Sequence, residues 1–282
     1  MDFVRWFATW LIAFRERRPR DDTAAFVYGG RRGGKTFACL LCLLATVLDV
    51  PELLGWAVSV SHVERDVDID RNIKRLVPAA WYSYREFPSH KYTFLNGATL
   101  TNISAVDPEK AKRGQADFIF INEGGKMAAG VYENSLGGTA DRGGLVVVAS
   151  NPPMTTKGEW VEVEVTAAAE AVAKGETPDA RVFTVDWKKN RAIDQGARAR
   201  IGRILRRLNP ALADADDLGL MKPVGGRALY AFDKVKHALR PRPDIGFITE
   251  AFTRQRWGAP LPYLLGVDFQ KRPHIAGTVW EL

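Results

Sequence analysis

Sulfur is scarce in this 282-residue chain, which has two cysteines and four methionines. Cys39 and Cys42 stand at C-x-x-C spacing, but no second Cys or His pair lies at zinc spacing and the four histidines are scattered. A disulfide framework and a structural zinc site are therefore not expected, and the usage fits a reducing compartment. Long apolar runs are scarce as well. The longest, residues 37–50, is interrupted by Thr46 and Asp49 and is too short to span a bilayer. Internal repeats and low-complexity tracts are missing, which argues against a solenoid or a fibrous chain. Acidic residues are outnumbered 33 to 40 by basic ones, for a formal net charge of +7. That excess favours an acidic partner such as nucleic acid.

At the N-terminus, Phe3, Val4, Phe7, Trp10, Leu11 and Phe14 fall on one helical face, and Arg15-Glu16-Arg17-Arg18-Pro19-Arg20 follows. A signal peptide carries its positive charge before the apolar stretch, not after it. The pattern predicts a helix packed on the core, with a helix lying on a membrane surface as the alternative.

What the sequence does contain is Gly29-Gly30-Arg31-Arg32-Gly33-Gly34-Lys35-Thr36, which fits the phosphate-binding loop G-x-x-x-x-G-K-[ST] at every fixed position. Ala24-Ala25-Phe26-Val27-Tyr28 before it reads as a buried strand, and residues 37–50 after it read as a helix. Strand, glycine turn and helix N-terminus together place a row of backbone N–H groups around an anion. Lys35 then reaches the outer phosphates and the Thr36 hydroxyl serves a magnesium ion. No G-x-G-x-x-G runs through these glycines, so a dinucleotide site is not the reading. The expected ligands are ATP and Mg²⁺. Cys39 and Cys42 lie in the helix after the loop and read as small buried apolar residues.

Strand and helix signals alternate through the first half, predicting an α/β fold with a mostly parallel sheet covered on both faces. Trp56-Ala57-Val58-Ser59-Val60 reads as a strand and residues 63–77 as a charged amphipathic helix stopped by Pro78. Asn96-Gly97 between two β-rich runs predicts a hairpin. Phe118-Ile119-Phe120-Ile121 and Leu145-Val146-Val147-Val148-Ala149 read as buried strands that each run directly into polar residues. Ligand sites in such sheets lie beyond the carboxyl ends of the strands, so three strand ends are expected to converge on the triphosphate. An alanine-rich helical stretch and a strand at Val182-Phe183-Thr184-Val185 follow. Residues 195–208 then predict a helix carrying Arg198, Arg200, Arg203, Arg206 and Arg207 and no acid. Such a face suits a phosphate backbone, and it equally suits plain solvation.

ATP hydrolysis needs an acid at the metal, a base for the attacking water and a sensor of the terminal phosphate. The strand 118–121 ends in Asn122-Glu123, which places Glu123 to orient or deprotonate water. The next strand ends in Ser150-Asn151-Pro152, polar groups suited to the γ-phosphate or its water. Charge developing on the transferred phosphoryl group also calls for an arginine. Arg31 and Arg32 within the loop and Arg113 before Gly114 are the candidates, and sequence does not choose among them.

Taken together and in this order, these residues resemble the large terminase subunit of tailed bacteriophages. The loop Gly29 to Thr36, Asn96-Gly97-Ala98, Lys112-Arg113-Gly114, the strand ending in Glu123 and Ser150-Asn151-Pro152 look like that family's ATPase motifs. Tyr230-Ala231-Phe232-Asp233, His237 and Leu264-Leu265-Gly266-Val267-Asp268-Phe269 look like the approach to its nuclease domain. The resemblance implies a P-loop ATPase with an added strand between the Walker motifs (1–165), a small linker subdomain (166–228) and an incomplete start of a ribonuclease-H-like nuclease (229–282). It implies a motor that drives double-stranded DNA into a procapsid in the host cytoplasm. The motor would work as a homo-oligomeric ring, typically a pentamer, on the portal protein and with a small terminase subunit. A structural or regulatory nucleotide-binding subunit and a helicase-like DNA-dependent ATPase are the alternatives.

Two positions depart from the pattern. Asn122 stands where most of the family has aspartate; its amide can hydrogen-bond the metal's water shell, but a negative charge is lost and weaker metal affinity is expected. Asp117 sits at the other end of the strand, roughly 15 Å away at about 3.3 Å per residue, and does not substitute. Asp268 corresponds to the first metal ligand of the nuclease, yet the only acid after it in this sequence is Glu281. A second divalent metal needs several carboxylates, so nuclease activity is not expected from this chain alone. A split gene with a separate nuclease polypeptide, a truncated piece and a degraded copy are the readings of that ending.

Overall fold

The computed structural model describes residues 3–18, 22–87, 89–105, 114–153, 155–186, 190, 194–208, 263–269 and 275–281. The chain divides into two compact units, residues 1–231 and 232–282.

In the first unit eight strands form one sheet. They are β1 (Ala24–Gly29), β2 (Leu54–Ser59), β3 (Tyr82–Arg85), β4 (His90–Phe94), β5 (Thr99–Ser104), β6 (Phe118–Asn122), β7 (Leu145–Ser150) and β8 (Ala180–Val185). Their spatial order is β3-β4-β5-β2-β6-β7-β1-β8. Strands β5, β2, β6, β7, β1 and β8 are mutually parallel, while β4 runs antiparallel to both of its neighbours. β7 lies between β1 and β6, so a strand does separate the phosphate loop's strand from the one ending in Asn122.

The period-2 alternation of each strand builds a core on each face. Along β6, Phe118 and Phe120 join one cluster with Leu40, Leu43 and Val147, while Ile119 and Ile121 join the other with Phe26, Val148 and Val161. The first face is covered by α1 (Phe3–Arg15) and α2 (Lys35–Asp49), the second by α5 (Ala129–Ala140) and α6 (Glu159–Ala173). In α1, Phe3, Trp6, Phe7 and Trp10 are buried, and Phe7 and Trp10 meet Phe118 edge-on at centroid distances of 5.7 and 6.0 Å. Burying such side chains contributes about 1.5–3 kcal/mol each. The aromatic side of the helix thus lies on the core, which favours the first of its two sequence readings, whereas Val4, grouped with that face in the sequence, is exposed. No helix among the described residues is long and apolar enough to cross a membrane.

Asn96-Gly97 does turn a hairpin between β4 and β5, with Gly97 at φ 81°. The Asn96 amide also donates to the Val47 and Leu48 carbonyls at 2.9 and 3.2 Å, satisfying orphan acceptors at the end of α2. β3, unforeseen in the sequence, pairs with β4 at the sheet edge. The helix expected over 63–77 is in fact α3 (His62–Glu64), a π-helical stretch (Arg65–Asp70) and α4 (Arg71–Leu76). β8 is hydrogen-bonded along β1, so the sheet continues past residue 165. α7 (Gln195–Leu208) has the bounds its sequence predicts. In the second unit, β9 (Tyr263–Phe269) and β10 (Ile275–Glu281) form an antiparallel pair in which Asp268 is opposite Ala276.

Candidate functional site

The loop between β1 and α2 opens at the carboxyl edge of the sheet. Gly29 passes so close to β8 that a Cβ there would lie 2.1 Å from the Val185 carbonyl oxygen. Gly34, at φ 88°, precedes the first turn of α2 and is in the left-handed region that glycine tolerates. The turn brings the N-terminus of α2, with the N–H groups of its first turn, to the opening. Lys35 is buried, and its ammonium donates to the Gly29 and Gly30 carbonyls at 3.1 and 2.8 Å. Asn190, beyond β8, donates to the Arg32 carbonyl at 2.9 Å and braces the loop from outside.

The ends of β6 and β7 complete the opening. Glu123 has φ 60° and ψ 46°, a left-handed conformation that a non-glycine residue adopts only under constraint. The kink turns the chain immediately after the strand into Gly124–Lys126, a single 3-10 turn. Asn151 then bridges two strand ends: its Oδ1 accepts from Lys35 Nζ at 2.9 Å, and its Nδ2 donates to Glu123 Oε2 at 2.9 Å. Ser150 is engaged with backbone instead. Its hydroxyl accepts from Gly125 N at 2.8 Å and donates to the Asn151 carbonyl at 2.6 Å, tying the turn after β6 to the turn after β7.

A second chain of hydrogen bonds starts at Thr36, whose hydroxyl donates to Asn122 Oδ1 at 2.8 Å. Asn122 Nδ2 in turn donates to Asp68 Oδ2 at 3.2 Å. Burial raises the Asp68 carboxyl above its usual range, against the lowering effect of the hydrogen bond from Asn122. Thr36, Asn122 and Asp68 offer oxygen atoms only, a donor set that suits magnesium, a hard cation that keeps much of its water.

Of these three, Thr36 lines a cavity of about 500 Å³ together with Arg31, Arg32, Lys35, Glu123 and Asn151, with Phe37 and Lys126 at its walls; Asn122 and Asp68 stand behind Thr36 rather than in the lining. Arg31, Glu123 and Asn151 also line a second cavity of about 300 Å³ beside Pro152 and Thr155. Lys126 has no signal in the sequence. Its ammonium lies 3.0 Å from Glu64 and 3.8 Å from Glu123. Burial pulls its pKa down, but the Glu64 hydrogen bond and the Glu123 charge outweigh this, so the group is held protonated.

Asp117, at the start of β6, is buried and accepts from Arg142 Nε at 2.6 Å, Arg142 Nη2 at 3.1 Å and Leu54 N at 2.8 Å. It joins α5's end to β2, away from the strand end that carries Asn122. Arg203, Arg206 and Arg207 are exposed on α7. Arg113, Asp233 and His237, and the side chains of Arg198 and Asp268, lie outside the described residues. Cys39 and Cys42 are free and buried; burial drives both thiols up, Cys42 to about 12.

Another group with metal-ligating chemistry is Asp66, Asp70 and His90. Asp70 already accepts from the Tyr92 hydroxyl and the Asn102 amide, and the Arg65 guanidinium lies 4.0 Å from its Oδ2. An internal cation therefore serves this acid.

No protein-family model matches the chain, and no curated protein matches its sequence. Solved structures do match. The large terminase of a thermophilic bacteriophage, in complex with ATP-γ-S, aligns over 98% of this chain and 64% of that one, with 14% identity and a TM-score of 0.57. The large terminase ATPase domain of Thermus phage P74-26 aligns over 73% of this chain and 90% of that one (16% identity, TM-score 0.53). The large terminase of bacteriophage HK97 aligns over 76% and 50% (13% identity, TM-score 0.56). At these identities the likeness establishes the P-loop α/β fold of terminase ATPase domains. The chain spans 64% of the length of the thermophilic-phage terminase.

Proposed function

We propose that this chain is the ATP-hydrolysing motor subunit of a phage DNA-packaging terminase. The observation that carries the reading is Asn151 bridging Lys35 and Glu123, because it wires the group that would hold the phosphates to the group that would act on water. The thermophilic-phage terminase was solved in complex with ATP-γ-S, which supports a nucleoside triphosphate as the ligand.

On binding, the phosphates replace the Gly29 and Gly30 carbonyls as partners of Lys35, while the N–H groups at the start of α2 bind phosphate oxygens. A divalent cation would be held by Thr36 and, through its water shell, by Asn122, and would supply neutralisation of phosphate charge. Glu123 Oε2 holds the attacking water and takes its proton as the water oxygen bonds to the γ-phosphorus and the bond to the β–γ bridging oxygen breaks. Arg31, Arg32 and Lys126 line the opening where the developing negative charge must be balanced. Asn151 senses the change, since loss of the γ-phosphate frees Lys35 to return to it.

The polymer moved would be double-stranded DNA, with α7 as a candidate contact. The partners would be further copies of the chain in a ring, a portal on the procapsid and a small terminase subunit. A second reading, a nucleotide-binding subunit with little hydrolysis, draws on the neutral Asn122 beside Thr36. Steady-state ATPase assays on wild type, Lys35→Ala and Glu123→Ala separate the two. A wild-type rate well above both variants is expected, and equal rates in all three would sink the motor.

A further inference from the structure

Position 122 ends the strand that delivers acid to a P-loop metal, yet it carries no charge here. Its amide is oriented by its two hydrogen-bond partners. A carboxylate only accepts, so the Asn122 nitrogen must face Asp68 (3.2 Å), and the oxygen is left to accept from the Thr36 hydroxyl (2.8 Å). The chain Thr36–Asn122–Asp68 thus runs from the phosphate loop directly to an acid on another element.

That element is unusual. Asp68 lies within the π-helical stretch Arg65–Asp70, and π-turns in otherwise α-helical segments are often retained at functional sites. In this stretch three consecutive residues all turn to the sheet. Asp68 meets Asn122 at the end of β6, Ile69 is fully buried, and Asp70 meets Tyr92 and Asn102 on β4 and β5. Asp70 and Ile69 anchor the segment, which leaves Asp68 held at the carboxyl edge rather than free in solvent.

The charges then add up differently from the strand-end sequence alone. Asn122 and Glu123 bring one negative charge to the site, and Asp68 brings a second. Resting on the nucleotide-site reading above, we propose that Asp68 supplies the carboxylate that position 122 lacks, acting on the magnesium of the bound nucleotide through Asn122 and the metal's water shell. Asp68 is on this account a positioning and charge-supplying residue, not a group that touches the reacting atoms. Outer-shell partners of this kind change metal affinity by about 10–100-fold when removed.

The test uses the whole chain and Mn²⁺ in place of Mg²⁺, read by electron paramagnetic resonance in the presence of ADP. A fluorescent ADP titrated in EDTA runs alongside as a control for folding and for the phosphate loop. Asp68→Asn should weaken Mn²⁺ binding about tenfold and leave ADP affinity in EDTA unchanged. Asn122→Asp should tighten Mn²⁺ binding markedly in the Asp68→Asn background and much less in the wild type, where two adjacent carboxylates would repel. Unchanged Mn²⁺ affinity in Asp68→Asn overturns the inference and leaves the nucleotide site standing. Equal tightening of Mn²⁺ by Asn122→Asp in both backgrounds does the same. A wild type that binds no ADP under either condition overturns the nucleotide site itself, and the inference with it.

Discussion

Lys35 and Glu123 share one carboxamide. Asn151 accepts from the lysine at 2.9 Å and donates to the glutamate at 2.9 Å, so neither can move far without disturbing the other. Lys35 also donates to the Gly29 and Gly30 carbonyls, at 3.1 and 2.8 Å. On the function proposed above, nucleotide binding would break that arrangement and pass the change to Glu123 through Asn151.

The bridge predicts different failures for two substitutions at one position. Asn151→Ala removes both hydrogen bonds but leaves the lysine able to meet phosphate. Nucleotide affinity should stay within a few-fold while hydrolysis slows by about 10²–10³, the loss usual for one positioned polar group. Asn151→Asp would instead pair with Lys35 and compete with phosphate, so affinity should fall as well. Fluorescent-nucleotide titration and single-turnover hydrolysis distinguish the cases. If Asn151→Ala lost affinity and kept its rate, Asn151 would be a binding group only.

Glu123 has a strained backbone, at φ 60°. Glu123→Gly and Glu123→Ala both delete the carboxylate and its hydrogen bond with Asn151, so comparing them isolates the backbone. The glycine variant should be the more stable of the two by about 1 kcal/mol. Both should lose hydrolysis by about 10²–10⁴-fold. Urea unfolding measures the difference; equal stability would mean that the conformation costs nothing here.

The residues that sequence made legible are those whose spacing is fixed by one loop or one strand end. Gly29 to Thr36 follow a local pattern, and Glu123 and Asn151 each follow a run of apolar residues that can only be a buried strand. Asp68 had no such signal, because it sits among charges on what reads as an ordinary amphipathic helix. Only the π-helical turn and the placement of β2 beside β6 bring it to Asn122. Lys126 and Asn190 were hidden for the same reason, as their partners lie 62 and 158 residues away. β3 was missed because Tyr82–Arg85 has a half-exposed edge pattern with little apolar signal.

Asp117 tests whether acid on β6 is interchangeable. It is buried and holds Arg142 and the Leu54 N–H, so Asp117→Ala strands a guanidinium and a backbone donor. Arg142 is partly exposed, and water screens its share of the loss. A destabilisation of roughly 2 kcal/mol is expected, mainly from the unsatisfied donor. Metal-dependent nucleotide binding should be unaffected, and its loss in a folded variant would reassign Asp117 to the metal site.

The two thiols report on the packing of α2 against the sheet. Burial raises both above the ordinary range, Cys42 to about 12, so the folded chain keeps their protons where an unfolded chain releases them. The unfolded state therefore binds fewer protons above a pH of about 8.5, and stability should fall as pH rises beyond it. Cys39→Ala/Cys42→Ala should flatten that decline in a pH series of unfolding midpoints. With native protein at a pH of about 8, just below the ordinary thiol range, a thiol reagent should label neither cysteine quickly, and both after denaturation.

α7 has five arginines and no acid over residues 195–208, and Arg203, Arg206 and Arg207 are exposed on it. If this helix follows a DNA backbone, each arginine that meets a phosphate releases a counterion. Replacing the three by alanine should then lower affinity for any duplex sequence and reduce the slope of log affinity against log salt by about 0.9 for each phosphate no longer neutralised. The substitutions are on the surface and should alter stability by less than about 0.5 kcal/mol. Filter binding across a salt series, on duplexes of unrelated sequence, measures both the affinity and its slope. A slope that does not change would mean that the arginines are solvated in the complex, and that the +7 charge of the chain acts on DNA from elsewhere.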